Sequence, residues 1–164
     1  MEAVGELYDR HHARIFRYLW SRLRDPQLAE DLTGEVFVRM VRDLPGFRPR
    51  GIPFQAWLYR IAHNLSVDHQ RAQGRHPLVS LDNAESLQAE GQDPEARVER
   101  QLTVERVEKA LDALDPTQRE VVVLRFLAGL SLREVAAALT KTVAAIKSLQ
   151  HRGLVALRVA LDEG

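Results

Sequence analysis

Apolar residues fall at helical spacing in nearly every segment of this chain, and β-branched residues nowhere alternate with polar ones long enough to build a strand. Leu7, Ile15, Leu19 and Leu23 form one stripe, and Leu28, Leu32, Val36 and Met40 form the next. Helix-start signals sit where these stripes need them. Asp25-Pro26 puts a capping residue before a proline at the first helical position, and Pro53 opens a later helix in the same way. Asp93-Pro94, Asp115-Pro116 (with Gln118 at capping-box spacing) and Ser131 with Glu134 mark three more starts. The expected fold class is all-α.

The pattern fails once. From about residue 73 to 92, "QGRHPLVSLDNAESLQAEGQD" is polar and carries two glycines and a proline, which reads as a linker. It divides the chain into two small helical domains, 1–75 and 93–164, with 76–92 between them. Domains of that size stand near the lower limit of independent stability. No internal repeat is visible.

Charge is distributed unevenly along the chain. The 23 basic and 23 acidic residues cancel. Yet residues 44–76 hold five arginines (48, 50, 60, 71 and 75) against the single acid Asp68, while 77–110 hold four basic residues and eight acids. Residues 141–158 carry Lys141, Lys147, Arg152 and Arg158 and no acid. Two basic segments therefore flank an acidic middle, and the neutral sum hides them. The chain has no cysteine, which excludes disulfides and thiolate metal sites. No apolar run approaches the roughly 20 residues a membrane helix needs, and the N-terminus has no apolar signal-peptide core. No cofactor or metal is expected: His63, His69 and His76 do not share a helix face, and the adjacent His11 and His12 point apart.

The C-terminal half is the more legible. In "LSLREVAAALTKTVAAIKSLQHRGLVALR", Ser131 caps a short helix with Leu132, Val135, Ala136 and Leu139 on one face. That helix stops between Leu139 and Lys141, and a second starts near Thr142 with a buried stripe of Ile146, Leu149, Gly153, Leu157 and Ala160. The small Ala136 and Ala137 let two helices approach closely. This is the spacing of a helix-turn-helix, whose second helix enters the major groove N-terminus first. Its exposed face would carry Ala144, Lys147, Ser148, His151 and Arg152, types suited to phosphates and base edges. A plain helical hairpin with a solvated basic face fits the same pattern; the missing acids favour DNA.

The N-terminal half offers the amphipathic segment "AEDLTGEVFVRMVRDL" (29–44), the loop "LPGFRPRGIPFQAW" (44–57), and the helix "PFQAWLYRIAHNLSVDHQRAQGRHP" (53–77). The last segment mixes aromatics with arginines and histidines, so ordinary core packing and a surface for bases and phosphates both explain it. Trp57, Leu58 and Ile61 sit at core spacing, Tyr59 is undecided, and Asp68 is a candidate ion-pair partner for Arg71 or Arg75.

In this order and spacing the parts resemble a bacterial sigma factor of the extracytoplasmic-function group, which keeps only conserved regions two and four. "AEDLTGEVFVRM" is similar to the segment that docks on the clamp helices of the RNA polymerase β′ subunit. "FQAWLYRIAHNLSVDHQR" is close to the family's most recognisable run, and the C-terminal segments are similar to region four. The resemblance implies an alternative sigma factor, not an enzyme, that acts with core polymerase through the β′ clamp helices and β flap. Region two would recognise and melt the minus-ten element, region four would bind the minus-thirty-five duplex, and the linker would thread toward the active-site cleft. It also implies a cytoplasmic, nucleoid-associated location without membrane insertion, and an anti-sigma factor as partner.

Melting requires extruded bases to be held by stacking and edge hydrogen bonds beside a basic path for the backbone. Phe47, Arg48, Arg50 and Phe54 supply aromatic and cationic groups for this. Asn64 matches the family position that helps hold a flipped base, and Arg60, His63, Arg71 and Arg75 are candidates for the phosphate path. Stacking is worth about 1–3 kcal/mol per base, enough to offset the few kcal/mol of unstacking a step. Polymerase docking would use Asp31, Glu35, Phe37, Val38 and Arg39, an apolar anchor with a charged rim; Phe37 packed inward is the alternative. Gly34 departs from the family's common glutamine, and Leu149 and Leu154 replace frequent arginines. Two rival functions are a free-standing dimeric helix-turn-helix regulator and an enzyme. The first has no use for the 29–75 block, and the second lacks a nucleophile–base pair, phosphate loop or metal cluster.

Overall fold

The computed structural model describes residues 2–48, 51–74 and 104–163. The expected linker, the Asp93-Pro94 start, Arg50 and Arg75 lie outside the described residues. Within them every regular element is helical. Helix α1 is Glu2–Leu23, α2 is Pro26–Asp43, followed by a 3-10 turn at Leu44–Gly46, and α3 is Phe54–Ala72. Residues 104–112 form α4. Helix α5, Pro116–Val122, runs on into a π-helical turn at Val123–Leu127; α6 is Leu132–Leu139 and α7 is Val143–Glu163. No helix among the described residues is long and apolar enough to cross a membrane.

The starts follow local chemistry. Asp25 accepts a hydrogen bond from the Leu28 N–H ahead of Pro26. Ser131 and Glu134 form a reciprocal capping box, satisfying two backbone donors that the helix leaves open. Two expectations shift slightly. Asp115 caps through the Thr117 N–H, with no box closed by Gln118. Pro53 stands at the cap position of α3, one residue outside the helix.

In the first unit α1 packs on α2 and α3, and α2 packs on α3. Ile15, Leu19, Val36, Met40 and Leu58 are fully buried between them, with Leu7, Leu23, Leu32, Trp57 and Ile61 partly buried around that centre. Tyr59, undecided from sequence, is core; burial pushes its hydroxyl up to about 12. In the second unit α7 lies across α5 and α6. Gly153 is where α7 meets α5: a Cβ there would stand 2.8 Å from Val122 Cγ2.

The two units also pack on one another, chiefly through α3 and α6, and their buried apolar residues make one continuous cluster. The small residues of α6 thus serve a second purpose that the helix-turn-helix pattern does not announce. They let α3 approach as well as α7.

Candidate nucleic-acid interface

The reading face of α7 is built by the turn before it. Thr140 adopts a left-handed conformation (φ 57°) and its N–H closes α6 onto the Ala136 carbonyl, which also accepts from the Lys141 N–H at 2.9 Å. A β-branched residue is uncommon at positive φ, so the short connection relies on the start of α7 to hold it. The Thr142 hydroxyl accepts the Ala145 N–H at 3.1 Å and caps that helix. Ile146 is fully buried and Gly153 meets α5, which fixes the rotation of α7 about its axis. That rotation leaves Ala144, Lys147, Ser148, His151 and Arg152 exposed together on the first half of the helix. Arg125 ties the π-helical turn to this scaffold, donating to Gln150 Oε1 at 2.8 Å and to the Leu130 carbonyl at 2.7 Å. Arg125 and Gln150 are positioning residues that periodicity alone does not mark.

The first unit divides its candidates. Asn64 and Arg71 are exposed on α3, and Arg48 is exposed in the loop, its guanidinium 3.2 Å from the Phe47 carbonyl. Phe47 and Phe54 are half-buried in an aromatic cluster. Phe47 stacks on Trp57 with centroids 4.8 Å apart, and Phe54 meets Trp57 at 5.7 Å and His11 at 5.8 Å. A base stacking there would do so on the rim of an assembled cluster.

Arg60 and His63 face the second unit instead. Arg60 donates from Nε at 3.0 Å and Nη2 at 2.6 Å to the Ala137 carbonyl in the last turn of α6. His63 Nδ1 lies 2.7 Å from Glu120 Oε2; a carboxylate only accepts, so Nδ1 carries the proton. Arg22 Nη1 reaches the same oxygen at 2.8 Å, and the Tyr18 hydroxyl donates to it. Glu120 is 6% exposed. Burial by itself would raise its carboxyl, but the His63 hydrogen bond and the Arg22 charge overcome that and hold it below its ordinary value.

On α2, Asp31 and Glu35 are exposed and Arg39 is half-exposed, 3.4 Å from Glu35. Val38 is 67% exposed. Phe37 is not available as a docking anchor. It is 6% exposed, turned into the core and met edge-on by Tyr8. Phe37 follows Val36 on the core stripe, so its rotation is set by Val36 and Met40. Val38, Val41 and, on α1, Tyr8 are the exposed large apolar residues of this unit among the described residues. Val41 was legible as the residue three positions after Val38, off the buried stripe.

Two family models match this chain: sigma-70 region 2 over residues 7–76 and sigma-70 region 4 over residues 110–159. The ECF RNA polymerase sigma factor SigX of Bacillus subtilis is 31% identical over 98% of the chain and 84% of its own length. ShbA of Streptomyces griseus is 33% identical over 99% of the chain and 89% of its own. The chain belongs to the ECF sigma factors. BldN of Streptomyces coelicolor is 36% identical over 99% of the chain, which spans 61% of that relative's length.

Among solved structures, CnrH in complex with the cytosolic domain of CnrY is similar with a TM-score of 0.74 and 28% identity, over 99% of this chain and 89% of that one. RpoE of Bartonella quintana, in complex with the anti-sigma factor NepR, shares the fold with a TM-score of 0.77 at 20% identity, over 99% of this chain and 98% of that one. In this sigma factor, region 2 covers nearly all of α1 to α3, and region 4 runs from the end of α4 through most of α7.

Proposed function

We propose that this sigma factor binds core RNA polymerase and directs promoter-specific transcription by recognising and melting promoter DNA. The observation that carries the reading is the exposed, acid-free face of α7, locked in rotation by Ile146 and Gly153, in a chain whose two matched regions account for both halves. Ala144, Lys147, Ser148, His151 and Arg152 would read the minus-thirty-five duplex. Asn64 would hold a flipped base of the minus-ten element, with Phe47 and Phe54 at the rim of the pocket and Arg48, Arg60, His63 and Arg71 along the strand; Arg50 and Arg75 belong to the same set.

Docking on the β′ clamp helices would use Val38 and Val41 as apolar anchor, with Asp31, Glu35 and Arg39 as rim. Region 4 would meet the β flap. We also propose an anti-sigma partner: RpoE is found in complex with the anti-sigma factor NepR, and CnrH with the cytosolic domain of CnrY. The chain would act in the cytoplasm as a binding factor without chemistry of its own.

Run-off transcription with purified core polymerase on a genomic promoter library tests the reading. Discrete transcripts that need both core and this chain are expected, and none from any template would refute it.

A further inference from the structure

We propose that Gly34 is a specificity-determining residue of the polymerase-docking face: it opens a hole in α2 that admits a long cationic side chain from the facing clamp helix and lets the two helices pack closely. The inference rests on the functional reading above, which places α2 against those helices.

Gly34 lies in the middle of α2, an 18-residue helix. Its backbone is helical, not left-handed like that of Gly74 and Gly129, so the course of the chain does not call for glycine. Space does not call for it either. Among the described residues nothing stands within 4 Å of where its Cβ would be, whereas a Cβ at Gly153 would collide with Val122. Yet glycine inside a helix is destabilising relative to alanine, because the unfolded chain gains backbone freedom. The folded chain contains no reason for this loss, so the reason lies in what α2 meets.

The neighbours of Gly34 define that partner. Ala29, Thr33, Val36, Phe37 and Met40 are buried and fix the rotation of α2. Asp31, Gly34, Glu35 and Val38 are left exposed together. Their spacing of i, i+3, i+4 and i+7 is that of four residues which form a hole for a knob from a packed helix. Glycine deepens the hole and lets the helix axes reach the short end of the usual range of about 8–10 Å.

The lining sets the chemistry of the knob. Val38, 67% exposed, is an apolar wall. Asp31 and Glu35 are two carboxylates on the rim, with the exposed Glu30 beside them. Their bonds within the chain are exposed and weak: Gln27 donates to Asp31 at 3.2 Å, and Arg39 to Glu35 at 3.4 Å. An apolar wall with an acidic rim fits a side chain that has an aliphatic stem and a cationic head, as lysine and arginine do.

The test is fluorescence anisotropy of the chain, labelled through Asp162→Cys because it has no cysteine of its own, titrated with purified core polymerase. Urea unfolding of each variant runs beside it. Gly34→Ala is expected to raise the urea midpoint and yet weaken core binding about fivefold to tenfold; Gly34→Gln, whose side chain fills the hole, should weaken it further. The opposite signs separate the hole from damage to the fold. Gly5→Ala is the control: Gly5 is exposed on α1, and a Cβ there also meets nothing within 4 Å, so core affinity should be unchanged. Core affinity of Gly34→Ala equal to or tighter than the parent's overturns the proposal, as does tighter binding by Gly34→Gln or an equal loss in Gly5→Ala. A parent chain that does not bind core refutes the functional reading and the hole with it, whereas a parent that binds, with Gly34→Ala unchanged, sinks the hole alone.

Discussion

Lys147 and Arg152 are the cations whose loss the reading of α7 predicts most directly. Each is exposed on the first half of that helix with no acid in α7 until Asp162. Lys147→Ala and Arg152→Ala should each weaken duplex binding and lower the slope of log affinity against log salt by about 0.9. Titrations across a salt series check this, and an unchanged slope would remove the residue from the phosphate contacts. Asn64→Ala should slow strand opening more than initial promoter binding, as followed by a fluorescent base analogue; equal effects on both steps would reassign it.

Two glycines divide on opposite physical grounds. A Cβ at Gly34 meets nothing within 4 Å, so Gly34→Ala should stabilise the fold by about 0.5–1 kcal/mol through backbone entropy. At Gly153 the Cβ would stand 2.8 Å from Val122 Cγ2, and Gly153→Ala should destabilise by about 1–3 kcal/mol. Urea unfolding of both variants decides.

Among the elements, α6 carries the heaviest demands for its length. Its eight residues hold the helix-turn-helix turn at one end, accept Arg60 at that same end, and pack on α3 and α7. The capping box at its start is correspondingly important. Ser131→Ala should cost about 1 kcal/mol, read as a shift in the urea midpoint with no change in slope. The element-level expectations from sequence succeeded where a local interaction decides: Asp25, Ser131 and Glu134 announce helix starts because their partners are three residues away. Phe37 was harder. Its neighbours Val36 and Val38 point into and out of the core, and only the packed position of α1, with Tyr8 against the ring, settles which side Phe37 joins.

At the scale of the whole molecule, the joint between regions 2 and 4 governs the pH response. Glu120 has a folded value below its ordinary one, so its contribution to stability is present in full above the ordinary carboxylate range and is lost as pH falls through the lowered value. Glu108 and Asp112 are displaced upward, by burial first, and oppose this, favouring the folded state more as they become protonated. Against that background, Glu120→Gln should be less stable than the parent chain at pH 6, and the two should converge as pH is lowered toward 3. Urea midpoints measured across that range check the sign, and a constant gap would show that the Glu120 charge contributes nothing.

Sequence by itself determined the helical class, the starts at Asp25 and Ser131, the helix-turn-helix and the exposed side of α7, because periodicity and capping act within a few residues. Tertiary structure alone decided what Arg60, His63 and Glu120 do. Arg60 and its acceptor are 77 positions apart, and His63 and Glu120 are 57 apart. No local rule links a cation on one helix to an open carbonyl or a buried acid on another. Those bonds exist because the two units bury apolar surface together, and burial makes each polar group beside that surface find a partner or bear the cost of going without.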